Sequence, residues 1–180
     1  REALPDAYLD ALAILLKSLP EPCDPTLKDD DFGSFIYAPY SHFVATYGCE
    51  EAYLEPSLDA LEAITTRFSA EDAIRSFITK FPEQTTARLT IWASHPHYHV
   101  RRLVSEGTRP ALPWSAKILY SEEQYLPLLD ILFKDSTRFV TRSVANHLND
   151  VSKFNPEAVL ARLQCWRQQT HQSEKEMAYI

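Results

Sequence analysis

The sequence predicts an all-α protein built as an α-solenoid of antiparallel helix pairs. Three observations carry this reading. Apolar residues recur at helical spacing almost throughout the 180 residues. Only 3 glycines are present, too few for the tight turns of a many-stranded β fold. Two short patterns also repeat at distances suited to stacked helix pairs.

The elements follow in order. Leu9, Leu12, Leu16 and Leu19 form a first stripe, and a loop with Pro20, Pro22, Pro25 and the run Asp29, Asp30, Asp31 comes next. An aromatic segment holds Phe35, Ile36, Tyr40, Phe43, Val44 and Tyr47. Leu54, Leu58, Leu61, Ile64 and Phe68 read as one helix. Ser69 to Asp72 read as the N-cap of another, bearing Ile74, Phe77, Ile78 and Phe81. Residues 83–94 and 96–107 form the next pair, with Pro96 in a first turn and Gly107 as the stop. Residues 122–134 and 136–150 form a third pair, and a further helix opens near 156.

The repeats join these pairs. VRRLVSE, Val100 to Glu106, aligns with VTRSVAN, Val140 to Asn146, sharing V-x-R-x-V. Arg88-Leu89-Thr90-Ile91-Trp92 aligns with Arg162-Leu163-Gln164-Cys165-Trp166. Such spacing is that of HEAT or armadillo helix pairs, whose second helices line a concave face. An irregular helical bundle is the competing architecture. The expected organisation is a single HEAT-like domain over 1–180. Residues 1–50 form a helical cap, 51–180 the repeats, and the final run EKEMAYI a helix cut short.

Composition limits the function classes. The chain is 45% hydrophobic and 24% charged, as in an ordinary globular protein. Three cysteines, Cys23, Cys49 and Cys165, lack CxxC spacing, which points to a reducing, cytoplasmic setting rather than a disulfide framework. No apolar run is long enough for a membrane span, and no signal-peptide pattern opens the chain. The net charge of −7 is unevenly placed. Residues 1–66 carry 3 basic and 13 acidic side chains, whereas 67–180 carry 15 and 12. A basic face on the later part is therefore compatible with nucleic acid.

The densest candidate region is HPHYHVRRLVSEGTRPALPW, His95 to Trp114. Alternating His95, His97 and His99 would converge on a metal only in an extended segment. Here they open a helix, where they fan out and suit capping, helix-start and surface positions, so no metal is expected. Glu106 stands in the last turn of that helix, against the dipole, and Asp150 repeats the placement in the next pair. Glu71 stands in a first turn, where a carboxylate is ordinary. Amides at 106 and 150 are expected to leave the fold intact or slightly more stable. Trp114 follows Pro113 off any helical stripe and is expected to be partly exposed, close to Glu106, and able to stack on a base or sugar. Trp92 and Trp166 read as core. Arg101, Arg102, Arg109, Arg138 and Arg142, with Asn146, fall on or beside second helices and suggest a phosphate-facing stripe. No P-loop, GxGxxG, GxSxG or HExxH motif is present.

RFSAEDAIRSFI, HVRRLVSEGTRPALPW and RSVANHLNDVSK together resemble the AlkC branch of the bacterial DNA alkylation repair proteins, from about residue 50 onward. The resemblance implies an α-solenoid that grips duplex DNA. It also implies excision of cationic N-alkylated bases, typically 3-methyladenine with 3-methylcytosine as a further substrate, by a monomer that uses neither metal nor organic cofactor. By motif, Glu71, Glu106, Trp114 and Asp150 correspond to active-site positions. The alternative is a non-catalytic HEAT scaffold that binds DNA structures or protein partners.

Overall fold

A computed structural model describes residues 3–29 and 32–169. Arg1, Asp30, Asp31 and the final run at 174–180 lie outside the described residues. The described chain is helical: α1 (Tyr8–Lys17), α2 (Ala38–Tyr47), α3 (Leu54–Thr65), α4 (Glu71–Lys80), α5 (Pro82–Trp92), α6 (Tyr98–Gly107), α7 (Glu122–Leu132), α8 (Arg138–Ser152) and α9 (Pro156–Arg167). No strand occurs among the described residues, and one antiparallel bridge pairs Gly33 with Phe68.

Local sequence explains several starts. Pro82 and Pro156 occupy first turns, where the missing N–H is no loss. Gln124 accepts from the Ser121 N–H at 2.9 Å, and Asn155 from Ala158 at 3.2 Å, satisfying amides that the helices leave open. The first turn of α6 is closed by histidines. His97 is its N-cap, with Nδ1 accepting from the His99 N–H at 3.2 Å. Its Nε2 donates to the Cys23 carbonyl at 3.0 Å. His99 Nδ1 donates to the Thr65 carbonyl at 3.0 Å.

The second members of the pairs, α4, α6 and α8, pack side by side, and α2 extends this layer against α4. Val100, Val104, Val140 and Val144 are all wholly buried where α6 meets α8, so V-x-R-x-V is a true structural repeat. The second repeat staples the outer layer. Trp92 donates its indole N–H to Glu62 of α3 at 2.5 Å, and Trp166 donates to Asp130 of α7 at 2.8 Å. Arg88 and Arg162, four residues ahead of each tryptophan, pair with carboxylates of the same two helices. Both tryptophans are 1% exposed, as the stripes predict. The core runs without a break from Tyr8 to Trp166.

Several local expectations are corrected. Leu9 is exposed, and α1 buries Tyr8, Ala11 and Leu12 instead. Phe35 and Ile36 point to solvent. Phe68 lies beyond α3, and Pro96 lies ahead of α6. Ser69 makes no cap; its hydroxyl accepts from Arg102. Gly107 is the last residue of α6 and is required by packing: a Cβ there would come within 2.5 Å of Ile74 Cγ2. Ile74 is β-branched and wholly buried, so it cannot yield. Gly107→Ala is expected to lower stability by about 1–3 kcal/mol, read as a shift in the urea midpoint.

The connection from α1 to α2 crosses the ends of three pairs. Cys23 N–H donates to Thr66, the Lys28 carbonyl accepts from Phe139, and Ser69 N–H donates to Phe32. Gly33 sits at φ 80°, and a Cβ there would collide with the Arg67 carbonyl. This crossing brings acidic and aromatic side chains of the N-terminal part onto α6 and α8.

Candidate functional site

Glu71, Glu106 and Asp150 come from α4, α6 and α8, and the structure joins them through two arginines. Arg109 leaves the end of α6 and turns inward. Its Nη1 lies 2.6 Å from Glu106 Oε1, and its Nε lies 2.8 Å from Asp150 Oδ2. Arg102 continues the row: Nη2 lies 3.5 Å from Glu106 Oε2, and Nη1 lies 3.9 Å from Glu71 Oε2. Ser143 donates to Glu106 Oε2 at 2.6 Å, and Lys153 caps the far end on Asp150 Oδ1 at 3.1 Å. All five members of the row are buried. Burial alone would lower the Arg109 pKa, but bonds to Asp150 and the charge and bond of Glu106 outweigh it and raise it.

This geometry explains how carboxylates persist at helix ends. Each is neutralised by a bonded cation, which outweighs the roughly 0.3–1 kcal/mol of dipole repulsion. It also overturns the expectation that amides there are harmless. Glu106→Gln leaves Arg109 and Arg102 buried with one fewer charge partner, so it is expected to destabilise.

Glu71 differs from the other two. It is 7% exposed, and its Oε2 accepts no hydrogen bond among the described residues. It lines an open cleft of about 260 Å³ together with Phe35, Phe68, Ser69, Asp72 and Trp114. Trp114 is 60% exposed, as expected, but it shares this volume with Glu71 rather than with Glu106. Its loop is stiffened by Pro110 and Pro113 and held by Arg75, which donates to the carbonyls of Gly107, Arg109 and Ala116. Ser115 adds a bond to Asp72 at 2.5 Å. Arg75 was missed in the sequence, although its position four after Glu71 on α4 was an available signal.

The arginines divide into two groups. Arg102 is sandwiched by Phe139 and Phe32, at 4.5 and 5.0 Å, as well as serving the carboxylates. Arg101 pairs with Asp135 at 2.5 Å and donates to the carbonyls of His95 and Pro96. With Arg109, these three face inward rather than forming a free stripe. Arg138 and Arg142 lie at the surface of α8, each paired with Asp29 at 3.1 and 3.2 Å. Asn146 is exposed on the same helix.

His147 lies under the row, wholly buried, with Nδ1 donating to the Ser105 carbonyl at 3.1 Å. Burial is the main cause that pushes its pKa down to about 4, and Arg109 adds to it. The unfolded chain takes up this proton near pH 6.5, whereas the folded chain resists until about 4. Stability from the neutral ring is therefore complete above pH 6.5 and is lost as pH falls toward 4. The expected loss is about 3 kcal/mol, at up to roughly 1.4 kcal/mol per pH unit. Denaturant midpoints at pH 7 and pH 5 check this, and His147→Gln is expected to flatten the difference.

Stacked antiparallel helix pairs with a charged row buried across their inner layer define a helical-repeat protein of HEAT type. No family model matches the chain. It is 39% identical over 158 residues to the Bacillus subtilis (strain 168) protein YhaZ, itself described as uncharacterized; this covers 86% of the chain and 41% of YhaZ. It is also similar to the solved structure of the Pseudomonas fluorescens alkylpurine DNA glycosylase AlkC, bound to DNA containing an abasic site analog. That match has a TM-score of 0.74 and 38% identity over 82% of the chain and 40% of AlkC. The chain thus spans about two fifths of the length of each relative, and over that span it has the AlkC helical-repeat fold.

Proposed function

We propose that this chain carries the catalytic face of a DNA glycosylase that removes cationic N-alkylated bases, 3-methyladenine and 3-methylcytosine, from duplex DNA. The observation that carries the reading is Glu71: a buried carboxylate that lines a cleft beside an exposed tryptophan on a loop held by Arg75, with an Oε2 that accepts no hydrogen bond among the described residues and meets Arg102 only at 3.9 Å. The similarity to a glycosylase bound to abasic DNA supports it.

The chemistry fits the residues. An N-alkylated base already bears positive charge, so it leaves without a strong general acid. The bond from C1′ to the base nitrogen breaks, and its electron pair neutralises the base. Positive charge develops on the sugar. Glu71 places negative charge there and orients the water that adds to C1′, taking its proton. Glu106 and Asp150 act from behind: they hold Arg102 and Arg109, which fix the Glu71 carboxylate and the Trp114 loop. With Lys153 on Asp150, three carboxylates face three cations, so the negative charge an oxocarbenium-like sugar needs comes from Glu71 itself, whose nearest guanidinium, Arg102, is 3.9 Å away and shared with Glu106. Arg138, Arg142 and Asn146 take flanking phosphates, which position DNA without reading its sequence. The protein acts as a cytoplasmic monomer.

Trp114→Ala is expected to weaken binding to lesion DNA by about 1–3 kcal/mol while leaving the thermal midpoint nearly unchanged, because the ring is largely exposed. A matched fall in stability and binding would make Trp114 a packing residue. The reading as a whole is tested by incubating the protein with methylated duplex DNA and identifying released bases by chromatography. Release of 3-methyladenine is expected; tight DNA binding with no base released would instead identify a scaffold.

A further inference from the structure

We propose that Phe35 is an exposed aromatic wall of the Glu71 cleft, beside Trp114, and selects a planar cationic base over a neutral one. The proposal rests on the glycosylase reading above, and it adds a residue that the motifs did not single out for a role.

Phe35 is 78% exposed, yet it is held in place. Its ring stands edge-on to Phe68, with centroids 5.5 Å apart and planes at 89°. The short 3-10 turn that bears it, Phe35–Tyr37, is pinned from beneath. Ser34 N–H donates to the Arg67 carbonyl at 2.9 Å, Ser69 N–H donates to Phe32 at 3.1 Å, and Gly33 fits only without a side chain. Beyond that one edge contact, a large apolar ring left this exposed gains little for the fold. Its neighbour Ile36 is equally exposed but does not line the cleft.

What lines the cleft states the ligand chemistry. Phe35, Phe68 and Trp114 supply aromatic rings, Glu71 and Asp72 carboxylates and His42 an imidazole, and no lysine or arginine lines it among the described residues. Aromatic faces are electron-rich, so rings and carboxylates attract the same ligand: flat, apolar in outline and positively charged. An N-alkylated nucleobase has those properties before cleavage and loses its charge at cleavage. The same contacts therefore hold the damaged nucleotide and relax on the released, neutral base.

The test compares Phe35→Ala, Phe35→Leu and Phe35→Tyr with the wild type on duplex DNA carrying 3-methyladenine. Phe35→Ala and Phe35→Leu are expected to raise KM about 10-fold with a smaller change in kcat, and Phe35→Tyr to stay near wild type. Affinity for duplex bearing an abasic site, which has no base to stack, is expected to be the same in all four. Leucine matching wild type would show that bulk alone matters and overturn the proposal, as would an unchanged KM in Phe35→Ala. Binding of 1-methyladenosine, a stable N-alkylated cation, against adenosine separates the two readings. A wild type that releases no base but prefers the cation, with the preference lost in Phe35→Ala and Phe35→Leu, refutes the glycosylase and keeps the aromatic wall. A wild type that releases the base with no cation preference, unaltered by Phe35→Ala, does the reverse.

Discussion

Arg109→Met is expected to be the most destabilising single substitution in the molecule. The side chain fills a similar volume, so the loss is electrostatic. Glu106 and Asp150 are each 2% exposed and each hold Arg109 by a charged hydrogen bond. Removing the cation leaves two buried carboxylates, one on α6 and one on α8, without the guanidinium that joins them. Breaking a buried pair in this way costs about 3–5 kcal/mol, a large part of the roughly 5–15 kcal/mol that holds a domain folded. The denaturant midpoint should fall accordingly. Adding Glu106→Gln and Asp150→Asn to Arg109→Met should recover much of the loss, because the triple variant removes both carboxylates together with their shared cation and keeps Arg102 beside Glu71. An Arg109→Met protein as stable as wild type would mean that the row is open to water and that its carboxylates are not held as described.

Glu71→Gln is expected to have the largest effect on activity, slowing base release by about 10²- to 10³-fold, the scale of losing one preorganised charge. The same change should leave stability nearly intact. Glutamine is isosteric, and Glu71 Oε2 accepts no hydrogen bond among the described residues, so no bonded partner is stranded there. Arg102 loses an ion pair at 3.9 Å but retains Glu106, Ser69 and two aromatic rings. The contrast between the two substitutions is the physical signature of the site. On the proposed reading, Arg109 serves the fold and acts on chemistry only through it, whereas Glu71 serves the chemistry.

Much of the architecture was legible because it is periodic. Val100, Val104, Val140 and Val144 repeat at helical spacing and are buried where two like helices meet. The tryptophans of the second repeat are likewise core. Glu106 and Asp150 were legible as misplaced charges, Glu71 only as a motif position, and Trp114 as a residue off every stripe. The partners of these groups were not legible. An arginine in a sequence reads as solvated by default, and nothing near Arg109 announces Asp150. The crossing of Cys23 to Phe32 over α6 and α8 was also hidden, because loops carry no periodicity and Asp29 reads as ordinary surface. Phe35 failed in the opposite sense: an aromatic in an aromatic-rich segment reads as core, yet here it is fixed in solvent.

The central claim is that the Glu71 carboxylate acts on the sugar of an alkylated nucleotide. Its most direct test is the single-turnover rate of 3-methyladenine release from a defined duplex, with wild-type and Glu71→Gln protein both in excess over DNA and both shown to melt at the same temperature. Saturating protein removes binding from the rate. A fall of about 10²-fold or more at equal stability is the result expected. An unchanged rate in a folded Glu71→Gln protein would contradict the assignment and move the chemistry away from this cleft.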